Sequence, residues 1–214
     1  RAKLPPEIAT LQEPFGNAVF ATMNQDLSGQ SVAVLGCGPI GLFTIGIAKS
    51  VGAKAVFATD IHPFRLKLAQ AMGATRVFDV SKDGATLVSQ MVEANGGVGI
   101  DCVLEMSGAP SAITNAFRVV RNGGTVILFG IPSRPVEIDV AENMIFKNLT
   151  VLALNGRRIF DTWYKTRWLL EGAVIDLRPL ITKTIGFPEI NDAMEQLSRG
   201  DACKIVLLPN GGKP

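Results

Sequence analysis

A cluster of glycines between a strand-like segment and a helix-like segment constrains the fold of this chain more than any other feature. Ser31–Gly36 is a short apolar run, and Pro39–Val51 has the composition of an amphipathic helix. The run between them, Gly36-Cys37-Gly38-Pro39-Ile40-Gly41, has the spacing G-x-G-x-x-G. This spacing is weak by itself because glycine is common at turns, but in this setting it predicts a tight strand–turn–helix unit.

The same alternation of strand-like and helix-like segments continues along most of the chain. The strand interiors are almost wholly apolar, as in Val126-Ile127-Leu128-Phe129, which is typical of strands buried on both faces. Strands are predicted at residues 31–36, 55–60, 76–79, 100–105, 125–129 and 149–154. Six strands separated by helices predict an α/β fold of the Rossmann type, a doubly wound six-stranded parallel sheet.

Each residue of the glycine run has a physical role in holding a dinucleotide. Gly36 permits the tight turn, Gly38 lets a pyrophosphate approach the backbone, and Gly41 lets the helix pack closely on the strand. Pro39 suits the first helical turn, where the free N–H groups around Ile40 and the helix dipole attract phosphates. The alternative is a purely structural glycine-rich turn.

Two residues after the second strand are candidates for the adenosine end of the ligand. Asp60 stands 24 residues after Gly36 and can accept hydrogen bonds from ribose hydroxyls. Its negative charge disfavours a 2′-phosphate, so NAD is predicted rather than NADP. Arg65 is predicted to lie over the adenine face, the alternative being a solvated arginine at the start of a helix.

Two strand exits are candidates for the nicotinamide end. Ser107-Gly108 follows the fourth strand and Gly130-Ile131 follows the fifth, at the carboxyl ends where a doubly wound sheet binds ligands. Their backbone groups are predicted to bond the nicotinamide amide and its ribose, the alternative being ordinary strand-exit glycines. Cys37 has no assignable base and is predicted to be a small buried filler.

The pattern changes after Asn155. Helices are predicted at residues 161–170 and 189–197 and strands at 181–185 and 204–208. A tail of about 60 residues is too small to bury a core alone, so its strands are expected to need a partner sheet. We therefore predict a hinge segment and helix (residues 1–28), an NAD-binding Rossmann domain (29–155) and a tail that belongs to an incomplete catalytic domain (156–214).

Composition excludes several classes of function. There are 21 basic and 19 acidic residues, a net charge of +2, which argues against a nucleic-acid partner or a polybasic membrane anchor. No apolar run approaches the roughly 18 residues of a membrane span. Three cysteines without a Cys-x-x-Cys pair predict reduced thiols in a cytoplasmic protein, and a single histidine argues against a self-contained zinc site.

Several motifs in order resemble the cofactor-binding half of the zinc-dependent medium-chain alcohol dehydrogenases. They are the glycine run with Asp60, residues 97–108, residues 121–130, and Lys204-Ile205-Val206-Leu207. Within that family, Glu13-Pro14, residues 146–150 and residues 155–164 are most similar to the L-threonine 3-dehydrogenase branch. Sorbitol-type polyol dehydrogenases share the first of these three but match the third less well.

The resemblance implies a two-domain enzyme in which zinc polarises an alcohol and hydride passes to NAD. The family's zinc ligands lie in a preceding catalytic domain, and here only Glu13 matches a family position near the metal. The resemblance therefore implies a fragment that binds NAD, holds no metal and does not by itself oxidise the small-molecule alcohol. It also implies a homodimer or homotetramer, built on the apolar edge strand near residues 149–154.

Two alternatives to this interpretation stay open. One is a stand-alone NAD-binding module without chemistry. The other is a zinc-free reductase relative, against which Asp60 argues, because such reductases usually take NADPH and lack an acid at this position.

Overall fold

A parallel six-stranded sheet forms the centre of the computed structural model, which describes residues 4–209. The ends of the first and last predicted segments, residues 1–3 and 210–214, lie outside the described residues. The strands are β1 (Ser31–Leu35), β2 (Ala55–Asp60), β3 (Arg76–Asp79), β4 (Ile100–Glu105), β5 (Val120–Leu128) and β6 (Thr150–Ala153). Their spatial order is β3-β2-β1-β4-β5-β6, with every neighbouring pair parallel. This order confirms the predicted doubly wound sheet, and its switch point between β1 and β4 places a crevice at the carboxyl ends of these strands.

Helices cover both faces of the sheet. Four of them begin with proline at the first helical position, at Pro6, Pro39, Pro63 and Pro110, where a missing N–H costs nothing. The helices are α1 (Pro6–Ala9), α2 (Gln12–Thr22), α3 (Pro39–Ser50), α4 (Pro63–Ala71), α5 (Val80–Asp83), α6 (Leu87–Ala94), α7 (Pro110–Val119), α8 (Asp161–Glu171) and α9 (Ile190–Arg199). Within residues 4–209, none of them joins the length to the apolar character that crossing a bilayer requires.

The core consists of two layers, one on each face of the sheet. All five residues of β1 are buried and alternate between the layers, so that Val32 and Val34 face one and Ala33 and Leu35 the other. The first layer contains residues of α2, α3, α4 and α8, and the second contains residues of α6 and α7. Phe15 of α2 packs edge-to-face on Phe43 of α3 with ring centroids 5.4 Å apart, which joins α2 to the sheet through α3.

Strand β5 begins five residues earlier than predicted, at Val120 instead of Thr125. Val120 pairs with Ile100, and a bulge follows before Thr125 pairs with Cys102. The sequence pattern predicts a helix at residues 111–120 closed by Asn122-Gly123-Gly124, but these three residues lie within the strand. The sequence pattern also predicts helices at residues 14–25 and 84–94. The first is α2, which spans Gln12–Thr22 instead, and the second begins only at Leu87.

The tail strands pair with each other and do not use the central sheet. β7 (Ile181–Ile185) and β8 (Lys204–Leu207) form a two-stranded parallel sheet, in which Ile185 and Val206 are buried. Helix α8 contributes Leu169 and Leu170 to the first core layer. The tail thus shares a core with the segments before it, and the three-segment division stays a prediction.

Asp101 joins the amino ends of three neighbouring strands. Its Oδ2 accepts hydrogen bonds of 2.7 Å from both the backbone N–H and the hydroxyl of Ser31 in β1, and its Oδ1 accepts one of 2.6 Å from Arg121 in β5. Lys54 Nζ lies 3.5 Å from Oδ2. Burial by itself would raise the pKa of Asp101, but these hydrogen bonds outweigh it and hold the pKa well below its usual range.

We expect Asp101→Asn to lower the free energy of unfolding by about 1–3 kcal/mol at pH 7, because the charged hydrogen bonds to Arg121 and Ser31 are lost or weakened. The depressed pKa gives the direction of the pH dependence. This stabilisation is complete above the unfolded-state pKa of about 4 and is lost as pH falls through the lower folded-state value. Denaturant unfolding at pH 7 and pH 3 measures the effect.

Asp201→Asn, at an exposed carboxylate, serves as the control and should change stability by less than about 0.5 kcal/mol. Equal unfolding midpoints for Asp101→Asn and the unsubstituted protein at pH 7 would show that the hydrogen bonds of the Asp101 carboxylate contribute nothing to stability.

Candidate functional site

The three glycines of the turn after β1 differ in what surrounds them. Gly36 has a φ of +102°, and a Cβ there would lie 2.7 Å from Ser107 Cβ. At Gly41 a Cβ would lie 1.9 Å from the carbonyl oxygen of Gly36, so helix α3 rests directly on the turn. Gly38 has extended backbone angles, φ −62° and ψ 176°, and a Cβ there would meet no atom within 4 Å. The fold therefore requires glycine at 36 and 41, whereas at 38 it leaves open space.

That open space lies beside the amino terminus of α3, which begins at Pro39. First-turn N–H groups of a helix have no partner within the helix, and the helix dipole gives them partial positive charge. A diphosphate can approach Gly38 closely because no side chain stands there. The residues present thus fit the pyrophosphate bridge of a dinucleotide.

Asp60 ends β2 and is only 7% exposed. Its Oδ2 accepts a hydrogen bond of 2.8 Å from the backbone N–H of Cys37, and its Oδ1 accepts one of 2.9 Å from that of His62. Arg65 Nη1 lies 4.0 Å from Oδ2. An ionised carboxylate has about four lone-pair positions, so two N–H donors leave acceptor capacity for ribose hydroxyls.

Cys37 is fully buried beneath the turn, as predicted for a small filler. Burial raises the pKa of its thiol far above the usual range, and the nearby Asp60 carboxylate adds to this increase. A thiol of this kind is not a nucleophile at neutral pH.

A cavity of about 190 Å³ opens beside Asp60. It is bounded by the ends of β1 and β2, by Arg65, and by the beginning of α7. Its walls are mainly apolar, and its lining includes Ile61, Val80, Leu87, Ser107, Ala112 and Asn115. An apolar slot with a carboxylate at its rim suits an adenine base whose ribose lies at Asp60. Sequence reasoning missed Ser111, Ala112 and Asn115, although they lie on one side of a helix that follows a strand's carboxyl end.

The two predicted strand-exit turns contact each other. A Cβ at Gly108 would lie 2.3 Å from the carbonyl oxygen of Ile131, and one at Gly130 would lie 2.1 Å from the backbone nitrogen of Gly108. Ser107 also lines the cavity beside Asp60, while Ile131 is 79% exposed. The structure therefore brings Ser107, Gly108, Gly130 and Ile131 together beside the glycine turn.

Glu105, the last residue of β4, is fully buried beneath these turns and was missed by the sequence analysis. Its Oε1 accepts hydrogen bonds from the backbone N–H and hydroxyl of Ser107, at 2.8 and 2.5 Å, and from the N–H of Gly108, at 3.0 Å. Its backbone carbonyl accepts from the N–H groups of Phe129 and Gly130, both at 3.0 Å. Burial raises the pKa of Glu105 and outweighs the lowering effect of the hydrogen bonds from Ser107 and Gly108.

Glu13 lies in the first turn of α2 and is paired with Arg157. The same guanidinium donates to Asn17 Oδ1 at 3.2 Å and lies 5.6 Å from the ring centroid of Trp163. Across the described residues, no three His, Cys, Asp or Glu side chains come together as a metal site. Glu13 and the side chains around it therefore do not fit a zinc ion.

Comparison with known families and curated proteins gives consistent results. The sequence profile of a family described as zinc-binding dehydrogenases matches residues 39–171. The L-threonine 3-dehydrogenase of Caldanaerobacter subterraneus subsp. tengcongensis is 41% identical over 208 residues, 96% of this chain and 59% of that protein. The enzyme of the same name from Bacillus subtilis strain 168 is 39% identical over 209 residues, 97% of this chain and 59% of that protein. The chain thus spans somewhat less than two thirds of the length of these relatives.

Solved structures share the fold. The 2R,3R-butanediol dehydrogenase of Bacillus subtilis superposes with a TM-score of 0.88 at 28% identity, covering 98% of this chain and 59% of that one. A provisionally assigned zinc-binding dehydrogenase of Sinorhizobium meliloti 1021, solved with NADP bound, gives a TM-score of 0.87 at 25% identity, covering 98% and 61%.

Proposed function

The chain belongs to the zinc-binding dehydrogenase family, and from this premise we propose that it is the NAD-binding part of an alcohol dehydrogenase. The observation that carries the proposal is the turn at Gly38, where the fold leaves open space beside the amino terminus of α3. Asp60 and the adjoining cavity extend that space in the direction an adenosine would take.

Each part of the crevice has a defined task in this proposal. When bound, NAD accepts the hydride removed from the alcohol carbon. The amides at the start of α3 hold the pyrophosphate, Asp60 accepts hydrogen bonds from the adenosine ribose, and Arg65 with the cavity walls encloses the adenine. Ser107-Gly108 and Gly130-Ile131 hold the nicotinamide riboside through backbone groups.

We further propose L-threonine as the alcohol, oxidised at its secondary hydroxyl to a ketone. The support is the identity of 39–41% to proteins named L-threonine 3-dehydrogenase. A polyol or diol substrate is the second candidate, favoured by the structural likeness to 2R,3R-butanediol dehydrogenase. Since residues 4–209 bring no metal-ligand cluster together, we propose that the chain binds NAD but does not oxidise the alcohol without further residues that hold zinc.

We also propose that copies of the chain assemble through β6, as a dimer or a pair of dimers. β6 is one of the two edge strands of the six-stranded sheet, and an open strand edge can pair with another chain. The three cysteines are free and buried, which supports a location in the reducing cytoplasm.

Asp60→Ala is expected to weaken NAD binding by about 1–3 kcal/mol, because the charged acceptor for the ribose hydroxyls is lost. Asp60 also accepts the N–H of Cys37, so Asp60→Asn is the informative companion: its amide oxygen can keep that bond while the charge is removed. Calorimetric titration of NAD and NADP measures both variants.

The unsubstituted chain should prefer NAD, and Asp60→Asn should narrow this preference, since the repulsion of a 2′-phosphate is gone. Unchanged NAD affinity in both variants would refute the assignment of the ribose to Asp60.

A further inference from the structure

The buried carboxylate of Glu105 has no counter-ion in its hydrogen-bond set. Its partners in the described structure are the N–H groups of Ser107 and Gly108 and the hydroxyl of Ser107, and the residue is 0% exposed. A buried charge held only by hydrogen bonds is unfavourable for stability compared with an apolar side chain. Stability alone therefore does not account for a glutamate at this position.

The neighbouring glycines leave room for this carboxylate. A Cβ on Gly130 would lie 2.6 Å from Glu105 Oε2, and Gly108, with φ +71°, adopts a backbone conformation that side chains disfavour. Oε2 also lies 3.1 Å from the backbone nitrogen of Gly108. Glu105 thus lies at the joint between the Ser107-Gly108 turn and the Gly130-Ile131 turn.

The direction of the bonded N–H groups determines the direction of the carbonyls. Every peptide bond here is trans, and in a trans peptide unit the N–H and the C=O point in opposite directions. The N–H groups of Ser107 and Gly108 point to the buried carboxylate, so the carbonyls of Met106 and Ser107 point away from it. Among the described residues, neither carbonyl accepts a hydrogen bond from another group of the chain, so both can accept one from a ligand.

We propose that Glu105 is a positioning residue of the cofactor site, which fixes the Ser107-Gly108 turn against Gly130-Ile131 so that their backbone groups meet the nicotinamide riboside. This inference rests on the proposed function. It goes further because it attributes the fixed arrangement of the Ser107-Gly108 and Gly130-Ile131 turns to one buried carboxylate. This carboxylate does not itself touch the cofactor.

Glu105→Gln tests this role with two ligands of different length. The amide oxygen can replace Oε1, but the amide NH₂ then faces the N–H of Gly108 and disturbs its contact with Gly130. ADP reaches the Gly38 and Asp60 contacts and the adenine cavity, whose lining includes Ser107, whereas only NAD also reaches Gly130-Ile131. We expect NAD affinity to fall about tenfold and ADP affinity to change less than about threefold by calorimetry.

Asp26→Asn is the control. Asp26 accepts a hydrogen bond of 3.0 Å from the N–H of Ser28, two residues on, as Glu105 does from Ser107, but it is exposed and precedes β1, at the end of the sheet opposite the crevice. The bond from Ser28 lowers the pKa of this exposed carboxyl, whereas burial raises that of Glu105. Asp26→Asn should leave the affinities for NAD and ADP unchanged.

Thermal unfolding verifies that Glu105→Gln is folded. Ser107→Ala, which removes the hydroxyl's bond to Glu105 and the bond that the hydroxyl accepts from the N–H of Ala109, is the milder second variant. It should show the same selective loss for NAD at smaller size. Parallel loss of NAD and ADP binding in these variants, or no loss of either, would overturn the positioning role. If the unsubstituted chain bound neither ligand, the proposed function would fail, and this inference with it.

Discussion

Gly38→Val is expected to lower NAD affinity by at least about 100-fold, which corresponds to about 2.7 kcal/mol. The branched side chain would occupy the open space beside the amino terminus of α3, where the pyrophosphate must approach the backbone. In the proposed site the phosphate contacts are made by main-chain amides, so no rearrangement of side chains can restore them. Isothermal titration with NAD gives the loss directly.

The fold itself should tolerate this substitution. The extended φ and ψ of Gly38 suit valine, and a Cβ there meets no atom within 4 Å, so thermal unfolding should match that of the unsubstituted chain. Gly186→Val is the control, at another extended glycine that precedes a helical turn, where the nearest atom to a Cβ is Pro188 Cδ at 3.6 Å. Both variants should fold, and only Gly38→Val should lose NAD. Full NAD binding by folded Gly38→Val would refute the whole interpretation of the glycine run.

The sheet could be predicted from sequence, and the residues of the proposed adenosine end could be located on it, because their signals are local. Buried parallel strands give short apolar runs, and the glycine run with Asp60 follows the first two of them directly. Strand β5 could not be placed correctly, because Asn122-Gly123-Gly124 has turn composition and only its pairing with β4 extends the strand. The pairing of β7 with β8 joins segments about 20 residues apart, which periodicity does not detect.

Glu105 shows a second limit of sequence reasoning. A glutamate at the end of an apolar strand predicts a solvent-exposed side chain. Glu105 is buried instead, because the turns that follow β1, β4 and β5 contact one another around it. Gly130 could have indicated that another segment approaches the backbone closely. The side chain that lies against it, Glu105, is 25 positions away in the chain, so the sequence does not identify it. The roles of Ser107 and Gly108 depend on this contact, so their positions could be predicted and their hydrogen bonds could not.

Gly41→Ala is expected to destabilise the protein by about 3 kcal/mol, the upper end of the usual range for overpacking. The added Cβ would lie 1.9 Å from the carbonyl oxygen of Gly36 and 3.0 Å from its carbonyl carbon, both backbone atoms of a turn already held against Ser107. Helix α3 must therefore move away from β1, and this displacement carries with it the amides of the proposed phosphate site. Denaturant unfolding should show the loss of stability, and NAD titration should show weakened binding.

Gly46→Ala on the same helix separates overpacking from the general effect of alanine. Its Cβ would lie 2.7 Å from Met72 Cε, the end of a flexible side chain that can shift, and 3.3 Å from Ile175 Cγ2, a side-chain methyl that need move only slightly. Alanine gains about 1 kcal/mol over glycine in a helix, which offsets these adjustments. Gly46→Ala should therefore be nearly neutral in stability and should bind NAD normally. If both variants were equally stable, helix α3 would not rest on the Gly36 turn as closely as the geometry requires. The amides beside Gly38 would then lack the rigid support on which tight binding of a diphosphate depends.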